Sequence, residues 1–339
     1  MRISVAHEAH YRYDMPSTGV IQMLRLTPRN HTGQYVVDWR IEISADCRLE
    51  PQEDAFGNIV HAFSTDGPLA ELHILAEGEV ETQDTAGVVR GAVERFTPSL
   101  FLRETPLTRA DEAMAAFAAQ IRGAPPGEPG SDNTLAVLHR LLTRLDDDFT
   151  CDAAFERPET TAASAFAAKR GSCRDLAHVF ITAARALGVP ARFVSGYLCY
   201  PSDAGDQASL GNSRNTGSAG DATSPLARDK NGRGDEPDGE EALAGERVIL
   251  VDVPDGAGDA GDGLACGPGH AWAEAHVAGL GWVGFDPANR ICVTDRYVRV
   301  AIGLDRLGAA PVRGAHFGGG REAVAYRLMV SQAGWQAQG

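Results

Sequence analysis

Short runs of alternating apolar and polar residues fill roughly the first 85 positions, as in VIQMLRLTP, YVVDWRIEIS and LHILAEGEVE. Clusters of residues that favour turns separate these runs, namely PRNHTG, DAFGN and TDGP. A period of two is typical of antiparallel strands with one buried face. We therefore predict an N-terminal, sandwich-like antiparallel β domain over residues 1–90.

The pattern changes to a helical period in PLTRADEAMAAFAAQIRG, and GAPPGEPGSDN then interrupts it. This change predicts a helical link over residues 91–131. A second helix is expected to begin at Asp132 or Asn133, either of which can cap it. Its apolar face contains Leu135, Leu138, Leu141, Leu142 and Leu145.

A third helix is predicted with Cys173 in its opening turn. Ser172 lies at the cap position before it, and Gly188 and Pro190 end it. Its apolar positions follow the spacing of one buried helix face. A strand, ARFVSGYLCY, and a hairpin, GHAWAEAHVAGLGWVGFDP, come after it. We assign residues 132–305 to an α+β core in which this helix packs on an antiparallel sheet.

Residues 201–245, approximately, are rich in Gly, Ser, Asp and Asn and contain no aromatic residue. Such a segment cannot bury enough apolar surface to offset its ordering entropy, so we predict a disordered insertion in the core. A second loose loop is expected at 256–263. In the tail, residues 306–339, EAVAYRLMVSQ alternates like a strand that returns to pair with the first domain.

Composition indicates a soluble globular protein, with 43% hydrophobic and 23% charged residues. The net charge of −15, much of it within 201–263, argues against nucleic acid or an anionic membrane surface as partner. No apolar run approaches the roughly 20 residues that span a bilayer. The N-terminus, MRISVAHEAHYRYD, lacks the apolar stretch of a signal peptide, so we expect a cytoplasmic location.

Six cysteines occur without a CxxC pair, which fits neither a disulfide framework nor a thiolate zinc site. We therefore predict no metal and no cofactor. Cys173 differs from the others because it lies in the first turn of a predicted helix, where the helix dipole favours the thiolate. Asp175 opposes this effect, so a cationic partner is needed. The alternative is that Cys173 is a small buried residue that packs the helix start.

His270 and Asp286 provide a partner for that thiol. They are equidistant from residue 278, so a hairpin loop centred there would make them direct cross-strand neighbours. The carboxylate would then fix the imidazole tautomer and favour imidazolium. A turn on residues 279–281 would instead separate the two by several positions. Taken alone, each has a structural alternative: an exposed strand residue for His270 and a turn-initiating Asp-Pro for Asp286.

Two other histidines are less suitable as the base. His178 follows Cys173 by five residues, about 140° around a helix, and is expected to be structural. His276 shares the strand of His270 but lies far along it. GLGWVG matches a dinucleotide motif by letter, yet we interpret it as a hairpin turn because no helix follows. HEAH has the wrong histidine spacing for a zinc-protease helix.

The segments GSCRDLAHVFITAARALGVPARFVSGYL and GHAWAEAHVAGLGWVGFDPAN together resemble the bacterial transglutaminase-like family, often described as cysteine proteases. HYRYDMP, LRLTPR and DAFGN are similar to the β domain that precedes the catalytic core in that family. The resemblance implies a papain-like α+β core with Cys173 as nucleophile, His270 as base and Asp286 as the residue that orients the base.

Three features depart from the family pattern. Residues 199–269 intervene between SGYL and HAW, where the family usually has a short connection. Cys151 stands where relatives tend to have an aromatic residue. The segment 301–314 matches only partly. None of these departures involves Cys173, His270 or Asp286.

The expected chemistry is attack of the Cys173 thiolate on a peptide or glutamine amide, with a thioester intermediate. Water would complete hydrolysis or deamidation, which we favour, whereas an amine would complete transamidation. The Cys173 backbone N–H would hold part of the oxyanion. A catalytically inactive scaffold of the same fold is the alternative from another class. The substrate is expected to be a protein or peptide.

Overall fold

The computed structural model describes residues 1–123, 133–155, 157, 159–200, 247–252 and 269–333, with backbone only for 247–252. The insertion predicted at 201–245 and the loop at 256–263 lie outside the described residues. In chain order the elements are β1 (Arg2–Thr27), β2 (Gln34–Ile43), β3 (Glu50–Glu53), β4 (Ile59–Thr82), β5 (Val88–Val89), α1 (Glu112–Arg122), α2 (Thr134–Asp148), β6 (Thr150–Cys151), α3 (Ala162–Ala168), β7 (Arg170–Gly171), α4 (Cys173–Ala186), β8 (Ala191–Leu198), β9 (Arg247–Asp252), β10 (His270–Val277), β11 (Gly281–Asp286), β12 (Ile291–Cys292), β13 (Tyr297–Gly303), β14 (Val312–Gly318) and β15 (Glu322–Gln332). Short 3-10 helices lie at Pro98–Leu102 and Ala153–Phe155.

The first sheet is built on two long antiparallel strands, β1 and β4. The first half of β1 pairs with β15 and its second half with β14. The second half of β4 pairs with β2 and the start of β4 with β3. Buried side chains from both halves form one apolar cluster, which includes Tyr11, Val20, Phe63 and Leu72. The N-terminal part is therefore β-rich and sandwich-like.

The turn predicted at TDGP is wrong, because β4 runs straight through these residues. Pairing of β1 with β4 shifts register between Ser17 and Gly19, and the buried positions of β1 change there from odd to even numbers. A bulge of this kind accommodates Gly67 and Pro68 inside a strand, since the proline cannot donate to the ladder. The sheet thus accommodates four residues that would favour a turn if the local sequence alone decided.

The C-terminal segment returns to the first sheet. Strand β15 pairs antiparallel with β1 from Ile3–Gln332 to Tyr13–Glu322, and β14 pairs with the far half of β1. Strand β9, which comes directly after the insertion, pairs with the outer side of β15. The first sheet therefore combines strands from both ends and from the middle of the chain.

The second sheet carries the core, with strand order β12-β11-β10-β8-β13 and β5 pairing with β11. Helix α4 packs on this sheet and is flanked by α1, α2 and α3. Small residues of β10, including Ala271, Ala273 and Ala275, are fully buried in the cluster that holds the α4 side chains. Since alanine projects little from a sheet, the helix lies close to β10. Of the helices that the structure describes, none is long and apolar enough to cross a membrane.

The two sheets are joined by a continuous apolar cluster. Ile3, Val80 and Leu328 of the first sheet belong to the same buried cluster as the α4 side chains. Buried amides add specific links: Asn58 Nδ2 donates to the Ile302 carbonyl at 2.8 Å. The first domain is therefore packed against the core.

A buried ion cluster lies at the sheet face away from α4. Glu274 is fully buried and accepts from Arg192 Nε at 2.7 Å and from Arg299 Nε at 2.7 Å. Arg192 also binds Glu94 with two hydrogen bonds and lies 3.8 Å from the Trp282 ring centroid. Burial alone raises the pKa of Glu274, but the two guanidinium groups override it and lower the pKa to about 2.

We expect Glu274→Gln to lower the free energy of unfolding at pH 7 by about 3 to 5 kcal/mol, because it leaves buried arginines uncompensated. Urea denaturation followed by circular dichroism measures the loss. Glu50→Gln is the matched control: this side chain is 59% exposed beside Arg48, and its loss is expected to cost under about 1 kcal/mol. Equal costs for the two variants would contradict the structural role of the buried cluster.

Candidate active site

Cys173 is the first residue of α4, as the sequence predicts. Ser172 caps the helix: its Oγ accepts from the Asp175 backbone N–H at 3.3 Å, and the Asp175 carboxylate accepts from the Ser172 N–H at 2.9 Å. This reciprocal pair fixes the first turn of the helix. Cys173 is partly exposed at that end of the helix.

The Asp175 carboxylate opposes a thiolate less than the sequence suggested. It accepts a further hydrogen bond from Ser172 Oγ at 2.8 Å, and Arg306 Nη1 lies 3.5 Å from its other oxygen. These contacts hold the charge on the capping side of the turn and compensate it with a guanidinium. The helix dipole therefore acts on Cys173 with a smaller opposing field.

The hairpin that carries His270 and Asp286 has a different register from the one that would make them direct neighbours. Ala273 pairs with Phe285 and Val277 with Gly281, so the turn is centred on Gly279. This shift of two positions keeps both side chains on one face and makes them diagonal neighbours. His270 Nε2 and Asp286 Oδ2 are 2.6 Å apart, so the predicted contact forms although the predicted pairing is wrong.

Asp286 is fully buried and accepts five hydrogen bonds. Oδ2 accepts from His270, Tyr297 Oη at 2.7 Å and Asn289 Nδ2 at 2.7 Å. Oδ1 accepts from the backbone N–H groups of Ala288 at 2.9 Å and Asn289 at 3.2 Å. Burial raises the pKa of Asp286, but His270 and the donated hydrogen bonds lower it below its usual value, so the carboxylate is ionised.

The imidazole of His270 joins the carboxylate to the thiol. Its Nε2 is occupied by Asp286, which leaves Nδ1 for Cys173, and a side-chain hydrogen bond links the two residues. Burial lowers the pKa of His270, but the Asp286 charge, Cys173 and the hydrogen bonds to both raise it to about 10. The structure thus brings together all three residues that the sequence analysis selected.

Asn289 and Tyr297 contact the site and were missed from the sequence. Asn289 lies three residues after Asp286 in the segment DPAN, so its side chain folds back on the carboxylate in a local turn. That spacing was a signal available in the sequence. Tyr297 gives no such signal, because it reaches Asp286 from the start of β13.

The histidines that the sequence analysis set aside have other environments. His178 is fully buried, and its Nε2 accepts from the Arg306 backbone N–H at 2.9 Å. Burial, together with Arg306 and Arg185, holds the pKa of His178 well below its usual value, so it is a neutral structural residue. His276 packs against Trp282, with 5.3 Å between ring centroids.

The fold also explains the two segments, GLGWVG and HEAH, that partly match known sequence motifs. GLGWVG forms the β10–β11 turn, with positive φ at Gly279 and Gly281, and HEAH lies in β1. Within the described ranges, no three His, Cys, Asp or Glu side chains are grouped so that they could hold a metal ion.

Taken together, these observations define an α+β core with a cysteine at the start of a buried helix and a histidine–carboxylate pair on the adjoining sheet. Residues 124–287, which include all three side chains, match the model of the transglutaminase-like superfamily. Residues 3–81 match the bacterial transglutaminase-like N-terminal region. The chain therefore contains a transglutaminase-like core preceded by a bacterial transglutaminase-like N-terminal region.

Individual relatives match over nearly the full length. An uncharacterized protein of Mycobacterium leprae is 26% identical over 332 residues, covering 94% of each chain. One from Mycobacterium tuberculosis is 26% identical over 337 residues, covering 92% of this chain and 87% of the relative. Among solved structures, a Cytophaga hutchinsonii protein described as a candidate cysteine protease has a TM-score of 0.64 at 14% identity, covering 98% and 91% of the two chains. At that identity the structural match shows the shared fold.

The raised pKa of His270 predicts that its ring stays protonated to about pH 10. This proton stabilises the folded state fully below the unfolded value of about 6.5, and the contribution is lost as the pH rises through the folded pKa. In Asp286→Asn the NMR titration midpoint of His270 should move about 1 to 3 pH units lower. His178 is the internal control and should stay neutral. A wild-type midpoint near 6.5 would contradict the ion pair.

Proposed function

We propose that this protein is a cysteine-dependent amide hydrolase or acyl transferase that acts on protein or peptide substrates, with hydrolysis as the main outcome. The observation that carries the proposal is the 2.6 Å contact between His270 and Asp286, made by an imidazole that also bonds Cys173 at the start of α4.

In the first half of the reaction, the Cys173 thiolate attacks the amide carbonyl carbon. The carbon–nitrogen bond breaks, and His270 transfers its Nδ1 proton to the departing amine or ammonia. The acyl group stays on sulfur as a thioester. Asp286 keeps the imidazole oriented and stabilises its charged form before the transfer.

In the second half, water attacks the thioester and gives a proton to the now neutral His270 imidazole. The carbon–sulfur bond breaks, the carboxylic acid leaves and the thiolate–imidazolium pair is restored. The first backbone N–H groups of a helix have no partner within the helix, so the Cys173 N–H can donate to the oxyanion in both steps.

Transamidation is the second candidate, because a primary amine can replace water in the second half. The family name favours this possibility, whereas the constant presence of water favours hydrolysis. A catalytically inactive scaffold is the third candidate. The combined arrangement of Cys173, His270 and Asp286 argues against it, since a scaffold has no need of a thiol held against an imidazole–carboxylate pair at a helix start.

Alkylation by iodoacetamide between about pH 5 and 8 tests the ion pair directly. We expect fast labelling of Cys173, at least tenfold slower labelling in His270→Ala, and no change in His276→Ala, which alters another histidine of the same strand. Peptide mass spectrometry resolves the individual cysteines. Cys47 and Cys292 serve as internal references, because burial raises the pKa of each thiol.

If iodoacetamide labels Cys173 in folded wild-type protein no faster than Cys47 or Cys292, the catalytic proposal is wrong. The hypothesis of a catalytically inactive scaffold then stands. Circular dichroism of each variant excludes unfolding as the cause of a slow rate.

Product masses decide between hydrolysis and transamidation. Glutamine-containing peptides are incubated with wild type and Cys173→Ala, with and without a primary amine. Hydrolysis gives either two fragments or a mass increase of about 1 Da from deamidation, and amine incorporation gives an adduct of predictable mass. We expect hydrolysis products even with amine present. An adduct as the main product would assign the protein as a transamidase.

A further inference from the structure

A small cavity lies between the first sheet and the core, directly beside His270. Arg25 of β1, Arg174 and Arg306 line it together with Ser195, Gly269 and His270. We call this cavity the arginine cleft. Residues of the first sheet and of the core both contribute to its walls, and Arg174 directly follows Cys173 in the chain.

Three arginines line the cleft, although the chain as a whole has a net charge of −15. None of the described residues that line it is Asp or Glu. Asp54 and Asp175 each contact one of these arginines, Arg25 at 2.9 Å and Arg306 at 3.5 Å, and both carboxylates also accept from backbone N–H groups, Asp54 in its own turn and Asp175 at the cap of α4. His7 adds no charge, since burial and the nearby Arg174 lower its pKa to about 4.

Two guanidinium groups keep buried N–H donors without an acceptor. Arg306 is 5% exposed; its Nη1 is 3.5 Å from Asp175, and its Nε has no hydrogen-bond partner among the described residues. Arg25 is 11% exposed; its Nε donates to Asp54 at 2.9 Å, and its Nη1 likewise has no partner in the described part of the chain. Buried donors left unsatisfied cost free energy, which an anionic ligand would recover.

The size of the cleft limits what it can hold. Its volume is about 20 Å³, whereas about 10 to 15 Å³ holds one water molecule. A carboxylate at the end of a side chain or peptide fits such a space, but an aromatic ring does not. Because His270 forms part of the wall, a group bound there lies next to the reacting amide.

We propose that the arginine cleft binds a carboxylate of the substrate, so that the enzyme selects acidic peptides with a carboxylate next to the amide that reacts. Arg25 of the first sheet and Arg306 of the core supply the buried donors, and Arg174 adds a third guanidinium group to the lining. The inference rests on the proposed function, because it assigns the substrate class of the same site.

Two alkylating reagents of nearly equal size test this charge selection. Iodoacetate carries a carboxylate and iodoacetamide is neutral, and both react with the same thiolate of Cys173. The ratio of their rates therefore cancels any change in thiolate fraction. Each ratio is normalised to the ratio for 2-mercaptoethanol, which corrects for the intrinsic reactivity of the reagents.

We expect wild type to favour iodoacetate, and Arg174→Gln to lower the normalised ratio about three- to tenfold at low salt. Arg25→Gln is a second variant in another element, with a fall in the same direction. Arg48→Gln removes the same charge at an 84% exposed position and should leave the ratio unchanged. Added salt should reduce the preference of wild type, because it screens the cleft.

The outcomes separate the cleft from the catalytic proposal. If Cys173 reacts fast with iodoacetamide but the ratio is the same in wild type, Arg174→Gln and Arg25→Gln, the cleft does not select carboxylates and the proposed function stands. If the ratio falls equally in Arg48→Gln, the effect is one of net charge and the inference is overturned. Slow reaction with both reagents would overturn the cleft and the catalytic proposal together.

Discussion

The site depends on keeping one carboxylate, that of Asp286, ionised and out of water. An isolated buried charge is costly, so the fold must surround it with donors. His270, Asn289 and Tyr297 provide side-chain donors, and the turn after β11 provides backbone N–H groups. These donors come from β10, the turn after β11 and β13, so the carboxylate holds its geometry only when the second sheet is correctly assembled. The position of the imidazole is thereby tied to the register of the sheet.

Helix α4 brings the thiol to that imidazole. Its length is buried against β10 and the three other helices, while its first residue remains partly exposed. Fully buried alanines on β10 permit the close approach of helix and sheet. Cys173 and His270 both lie at the ends of packed regular elements, so the packing fixes their relative position, which is what the proposed acyl transfer requires.

The N-terminal, β-rich part of the chain contributes more than stability. Its strands share an apolar cluster with α4, and Asn58 fixes it to β13 through the Ile302 backbone. Arg25 of β1 extends to the wall of the cavity beside His270. The wall of this cavity is therefore built by both the first sheet and the core, and the charge of Arg25 lies close to the His270 site.

The sequence by itself determined the features that depend on neighbours along the chain. Period-two and helical patterns located the β-rich domain and helices α1, α2 and α4 but not the short α3, Ser172 marked the start of α4, and His270 and Asp286 were paired with Cys173. Only the tertiary structure decided the turn at Gly279, the bulge that replaces the turn at TDGP, and the contacts of Tyr297 and Arg25. Caps and periodicity are set within a few residues, whereas strand register and the walls of a cavity follow from the packing of segments that are distant in the chain.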